Sequence, residues 1–122
     1  MKLPPGLESD LERGRALDAG EVDGEIRCAV CRVIVTRPEL AMRHEGRERH
    51  EFQNPAGFRF EVALFREARC VAPDPPTFEF TWFAGYAWQI AFCGNCGGQL
   101  GWYYSGGDGE FYGLIVDRLL GL

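Results

Sequence analysis

Basic residues are in short supply in this chain. Its 13 Lys and Arg are outnumbered by 18 Asp and Glu, which gives a formal net charge of -5 at pH 7. A nucleic-acid binder needs a positive footprint against phosphate, so that class of partner is not expected. Long hydrophobic runs are missing too, and with them any candidate transmembrane helix. The N-terminus, Met1-Lys2-Leu3-Pro4-Pro5-Gly6, has no apolar core of the kind a secretory signal carries. These absences predict a cytoplasmic protein with neither a membrane nor a nucleic-acid partner. There is no internal repeat and no low-complexity tract.

Turn-forming residues, by contrast, are plentiful. With 16 Gly and 7 Pro in 122 residues, a helical bundle is disfavoured and an all-β domain with many tight turns is expected. The length fits one domain. Residues 1–24 read as an N-terminal arm, flexible or lightly docked: Leu7, Leu11 and Leu17 hint at a helical stripe, but Gly14 and Gly20 weaken it. Residues 25–122 read as the folded domain. Within it, Val33-Ile34-Val35 is a β-branched run, and residues 37–57 form a long polar stretch expected to be a surface loop. Asn54-Pro55-Ala56-Gly57 fits a tight turn. Phe58, Phe60, Val62 and Leu64 alternate with Arg59, Glu61 and Ala63, as in a half-buried strand. Trp82 and Trp88 flank Phe83-Ala84-Gly85 and are expected on adjacent strands of a hairpin. Further strands are expected over 86–92, 100–104 and 111–116, making an antiparallel meander.

Of the five cysteines, four form the pairs Cys28-x-x-Cys31 and Cys93-x-x-Cys96. A two-residue spacer lets both thiolates of one turn face the same ion, and zinc takes four such ligands in a tetrahedron. Each pair is half a site, so one zinc ion would close a long loop and join distant strands. Four cysteines fill the coordination shell, which makes the expected zinc structural rather than catalytic. Cys70 is expected to be a buried small hydrophobe. His44 and His50 lack ligand spacing and are expected at the solvated surface.

All three tryptophans, Trp82, Trp88 and Trp102, fall in the last third of the chain, and Tyr104 shares a strand face with Trp102. Such rings serve equally as core or as the walls of a ligand cage. A cage could hold a cation or a compact neutral ring, and the residues by themselves leave both open.

The stretch Phe80-Thr81-Trp82-Phe83-Ala84-Gly85-Tyr86-Ala87-Trp88-Gln89-Ile90-Ala91, then Cys93-Gly94-Asn95-Cys96 and Leu100-Gly101-Trp102-Tyr103-Tyr104, resembles the thalidomide-binding (CULT) domain of cereblon. The Asn54-Pro55-Ala56-Gly57 turn and the terminal Phe111-Tyr112-Gly113-Leu114-Ile115 fit as well. The resemblance implies a β-tent, two antiparallel sheets meeting at an angle and pinned by a structural zinc. It also implies a tri-tryptophan cage for glutarimide and thalidomide-like cyclic imides, or for imide-bearing damaged protein ends. Trp82, Trp88 and Trp102 would be its walls, Tyr104 and Phe60 its rim, and Asn54 would approach from the long loop. Backbone groups at Phe80 and Trp82 would hold the imide. Eukaryotic members carry a histidine where this chain has Phe80. The chain looks like a stand-alone, bacterial-type member, so no ubiquitin-ligase partner is expected.

The resulting expectation is a monomeric, non-catalytic binding module for a small cyclic imide or an imide-modified peptide. Two alternatives compete. A methionine-sulfoxide-reductase-like enzyme would need a nucleophilic cysteine beyond the second knuckle, and none follows Cys96. An RNA-end-binding zinc β domain is opposed by the acidic balance.

Overall fold

The computed structural model describes residues 24–122, so the expected N-terminal arm lies, but for Gly24, outside the described residues. Nine strands follow in chain order: β1 (Ile26–Cys28), β2 (Ile34–Thr36), β3 (Arg49–Gln53), β4 (Arg59–Phe65), β5 (Cys70–Val71), β6 (Tyr86–Cys93), β7 (Gln99–Gly106), β8 (Gly109–Ile115) and β9 (Leu119–Leu120). They form two antiparallel sheets, a small one ordered β2-β1-β9 and a large one ordered β3-β4-β8-β7-β6-β5. The all-β expectation therefore stands.

Strand parity divides the large sheet between two cores. Ala63 and Phe65 of β4, Ala91 and Cys93 of β6, and Tyr112 and Leu114 of β8 point to one face. There they meet Ile26, Cys28, Val35 and Leu119 of the small sheet. Val62 and Leu64 of β4, Tyr86 and Trp88 of β6, and Phe111 and Ile115 of β8 point to the other face. That second core is closed over by Phe83 from the segment between β5 and β6. On β7, Leu100 feeds the first core while Trp102 and Tyr104 feed the second. A strict two-residue alternation would put all three on one face. The register irregularity at Ala91/Phe92, where Ala91 faces Gly101 and Phe92 faces Gln99, skips Leu100 and switches its face.

Two glycine turns pin the long hairpins. Asn54 and Gly57 close the β3–β4 connection, Gly57 N–H donating to the Asn54 carbonyl at 2.9 Å, with Gly57 at φ 94. Gly106 and Gly109 face each other across the β7–β8 turn, Gly109 at φ 127. Gly101 is needed for another reason. A Cβ there would run into the Gly113 carbonyl oxygen and lie 2.9 Å from Leu114 Cα. Both obstacles are backbone, so β7 and β8 would have to separate. Gly101→Ala is expected to cost about 2–3 kcal/mol in denaturant unfolding, the upper range for overpacking a core.

Three sequence expectations need correcting. Residues 37–57 are not one loop: a 3-10 turn at Pro38–Leu40 and strand β3 lie within them. In β3, His50 and Phe52 turn inward while Arg49, Glu51 and Gln53 face solvent. The alternation is genuine but is carried by a histidine, which hydropathy counts as polar. His50 is accordingly not at the surface but 5% exposed, and His44 is half-buried, edge-on to Phe83 at 5.1 Å. Finally, Trp82 is not on a strand. Residues 78–85 form turns, and before β6 only Thr77 bridges to Trp88.

Candidate functional site

The two cysteine knuckles are built alike. In the first, Cys28 N–H donates to the Val33 carbonyl at 3.0 Å and Arg32 N–H to the Cys28 carbonyl at 2.8 Å. In the second, Cys93 N–H donates to Gly98 at 2.7 Å and Gly97 N–H to Cys93 at 3.0 Å. The residue after each second cysteine is left-handed, Arg32 at φ 69 and Gly97 at φ 81. This reverses the chain so that both sulfurs of a knuckle face one point. The four Sγ atoms lie within 4.8 Å of one another. Cys28 and Cys96 sulfurs are 3.8 Å apart, Cys31 and Cys93 sulfurs 3.7 Å. A tetrahedron with metal–sulfur bonds of about 2.3 Å has edges of about 3.8 Å, so the cluster fits a single four-coordinate ion.

Two thiols of the cluster are shifted in opposite directions. Burial opposes ionisation of Cys31, but hydrogen bonds with Asn95, the Val33 backbone and the sulfurs of Cys93 and Cys28 outweigh it and lower the thiol to about 6. Burial pushes Cys93 up to about 12. Without a cation the sulfurs compete for protons, and a divalent ion would remove that competition by holding all as thiolates. Cys70 is paired in register with Cys93 and belongs to the core, 2% exposed. Burial, then the charges of Cys93 and Cys28, push its thiol up to about 12, which suits a packing residue and not a nucleophile.

On the opposite face of the large sheet lies a cavity of about 250 Å³ lined by Asn54, Pro55, Phe80, Trp82, Trp88, Trp102 and Tyr104. The parity of β6 enforces this separation, Trp88 pointing to one face and Cys93 to the other. Trp82 and Trp102 meet at 4.8 Å between centroids and 72°, forming a corner. Trp88 reaches the cavity from β6, and its indole N–H donates to the Glu79 carbonyl at 2.7 Å. That bond ties the 78–85 segment to the strand. Tyr104 is 1% exposed at the cavity's base, packed on Phe83 at 4.8 Å, and burial raises its phenol well above the usual range.

Asn54 enters from the β3–β4 turn. Its Oδ1 accepts from the Phe58 amide at 2.9 Å, so part of its role is to shape that turn. At the mouth Phe80 is 72% exposed with φ 56, a left-handed conformation unusual for a bulky residue. Thr81 N–H reaches back to the Phe78 carbonyl at 3.3 Å, which makes Phe80 the third residue of a tight turn. Strain of this kind costs on the order of 1–2 kcal/mol and tends to persist where backbone groups must be aimed.

The predicted site residues thus come together with one difference. Phe60 does not line the cavity: it stands behind it, its ring 5.3 Å from Trp102 and 6.0 Å from Trp82. Sequence reasoning passed over Phe52, stacked on Trp82 at 4.8 Å and 10°. The alternation of His50 and Phe52 was the available signal. The lining carries no carboxylate, so no full negative charge there would counter a buried cation. A neutral, compact ring suits such a lining better. Among the described residues no helix is long and apolar enough to cross a membrane.

No family model matches the chain. Several curated proteins are similar to part of it. Cereblon of Gallus gallus is 32% identical over 75 residues, 57% of this chain. Cereblon of Danio rerio is 31% identical over 75 residues, and that of Xenopus tropicalis 33% over 74. The match spans only 17% of each of these relatives. Over somewhat more than half its length, then, this all-β chain with its tetra-cysteine cluster and aromatic cavity is a distant homologue of cereblon.

Proposed function

We propose that the chain is a non-catalytic binding module for compact cyclic imides, free or carried on a peptide, with one structural Zn²⁺ in the Cys28, Cys31, Cys93 and Cys96 cluster. The observation that carries the reading is the aromatic corner of Trp82, Trp88 and Trp102, edged by the tightly turned backbone at Phe80 to Trp82. A glutarimide has an apolar ring and an acceptor–donor–acceptor edge. The ring fills the aromatic corner. Its N–H donates to the Phe80 carbonyl, and an imide oxygen accepts from the Trp82 amide. Asn54 and Tyr104 close the remaining sides, with Phe60 supporting the walls from behind. The cavity lies near the small end of ligand sites, consistent with a single ring. The two sheets, joined by the zinc, would be the β-tent of the resemblance noted from the sequence.

The zinc-loaded protein titrated with glutarimide should show a saturable change in tryptophan fluorescence, and uncyclised glutamine should show none. Equal responses to both, or none to the imide in folded, metal-loaded protein, would refute imide recognition.

A further inference from the structure

Trp82 is the wall of the cavity with the least backbone support. Trp88 and Trp102 sit in strands β6 and β7, whereas Trp82 lies in turns. Its neighbour Thr81 anchors the segment, the hydroxyl donating to the Tyr86 carbonyl at 2.7 Å. That bond fixes the chain and leaves the indole angle to whatever the ring touches.

What it touches is a column of rings rising from β3. Phe52 stacks on Trp82 at 4.8 Å and 10°. His50 lies parallel to Phe52, at 1° and 5.8 Å between centroids. The lower end of the column is fixed: His50 is 5% exposed and its Nε2 is 3.2 Å from the Arg47 carbonyl. A carbonyl can only accept, so Nε2 carries the proton and donates. Phe83 braces both rings edge-on, at 5.3 Å from His50 and 5.1 Å from Phe52. Phe52 is also the cross-strand partner of Phe60, which touches Trp82 from the side. The column therefore runs from a buried, hydrogen-bonded imidazole to the wall of the cavity.

We infer that Phe52 and His50 are positioning residues of the aromatic site: they set the angle at which Trp82 faces Trp102, and through it the affinity for ligand. The affinity half rests on the imide reading, and the angular half does not. Neither residue lines the cavity, and Trp82 is the lining residue on which Phe52 stacks face to face.

The test uses zinc-loaded Phe52→Met and Phe52→Tyr with two readouts. One is the exciton couplet in circular dichroism that two indoles in contact produce, here Trp82 and Trp102, recorded without ligand. The other is glutarimide titration. Phe52→Met keeps volume but removes the ring. It should flatten the couplet and weaken binding by about 3–10-fold, the scale of one aromatic pair. Phe52→Tyr restores the stack and should recover both. A folded Phe52→Met with parental couplet and affinity overturns the inference, as does a loss that Phe52→Tyr fails to recover. If Phe52→Met does not fold, His50→Gln, which keeps a donor for Arg47 but removes the ring, should reduce the couplet, and an unchanged couplet there counts against the column. If the parent protein binds no glutarimide, the imide reading fails while the couplet still decides the positioning role.

Discussion

Stripping the metal from the purified protein is expected to abolish its cooperative unfolding transition, with recovery when zinc is restored. The small sheet consists of strands of three, three and two residues, too little to fold by itself. It holds to the large sheet through the first core and through the cysteine cluster, in which Cys28 and Cys31 come from the small sheet's side and Cys93 and Cys96 from the large one's. Structural zinc contributes about 10–16 kcal/mol of folding free energy in small domains. Whole domains are stable by only about 5–15 kcal/mol, so the loss should not be survivable. Cys28→Ser and Cys93→Ser should behave like the chelated protein. Cys70→Ala should keep the metal and lose only a little stability, because Cys70 packs beside the cluster without belonging to it. Circular dichroism melts, with metal content followed by mass spectrometry, would decide the matter. A metal-free protein that melts where the loaded one does would mean that the sulfurs do not hold a structural ion.

The second large effect is expected at Trp88. Trp88→Ala should weaken glutarimide binding by at least about 100-fold, the scale of a hot-spot aromatic. Two losses combine there. The indole is one wall of the cavity, and its N–H bond to the Glu79 carbonyl at 2.7 Å tethers the segment that carries Phe80 and Trp82. Trp88→Phe keeps most of the wall and breaks the tether, so it should fall between the parent and the alanine variant. Both should remain folded, because Trp88 is only half-buried and β6 is held on one side by β7 along most of its length. Calorimetric titration of both variants beside the parent tests the ordering. Parental affinity in a folded Trp88→Ala would remove this tryptophan from the site.

The cysteine cluster was legible because its chemistry is local. A Cys-x-x-Cys turn points both sulfurs to one side whatever surrounds it, and two such turns need only meet. The alternation of Phe60, Val62 and Leu64 in β4 and the turn at Asn54 to Gly57 were legible for the same reason: each depends on neighbours within a few residues. Phe58, by contrast, lies exposed before the strand, and Ala63 is buried on the other face. Strand β3 was not, because its inward side chains are a histidine and a phenylalanine among charges. His50 is tolerable in the interior because the Arg47 carbonyl accepts a hydrogen bond from its ring N–H and rings cover its faces. Nothing in the order Arg-His-Glu-Phe-Gln announces those partners.

The sequence alone determined the four cysteines that cluster, the all-β class and the identity of the aromatic residues, because spacing, turn chemistry and side-chain type are properties of short segments. Only the tertiary structure decided that cysteine cluster and cavity occupy opposite faces of one sheet: the pairing of β7 with β6 puts Trp102 and Tyr104 on the Trp88 face, and a single irregularity opposite Ala91 and Phe92 turns Leu100 to the other. It alone placed Trp82 in a turn and stood Phe52 and His50 behind it. Register and ring stacking are long-range outcomes of packing, and a chain read in order holds no distance between residues 50 and 82.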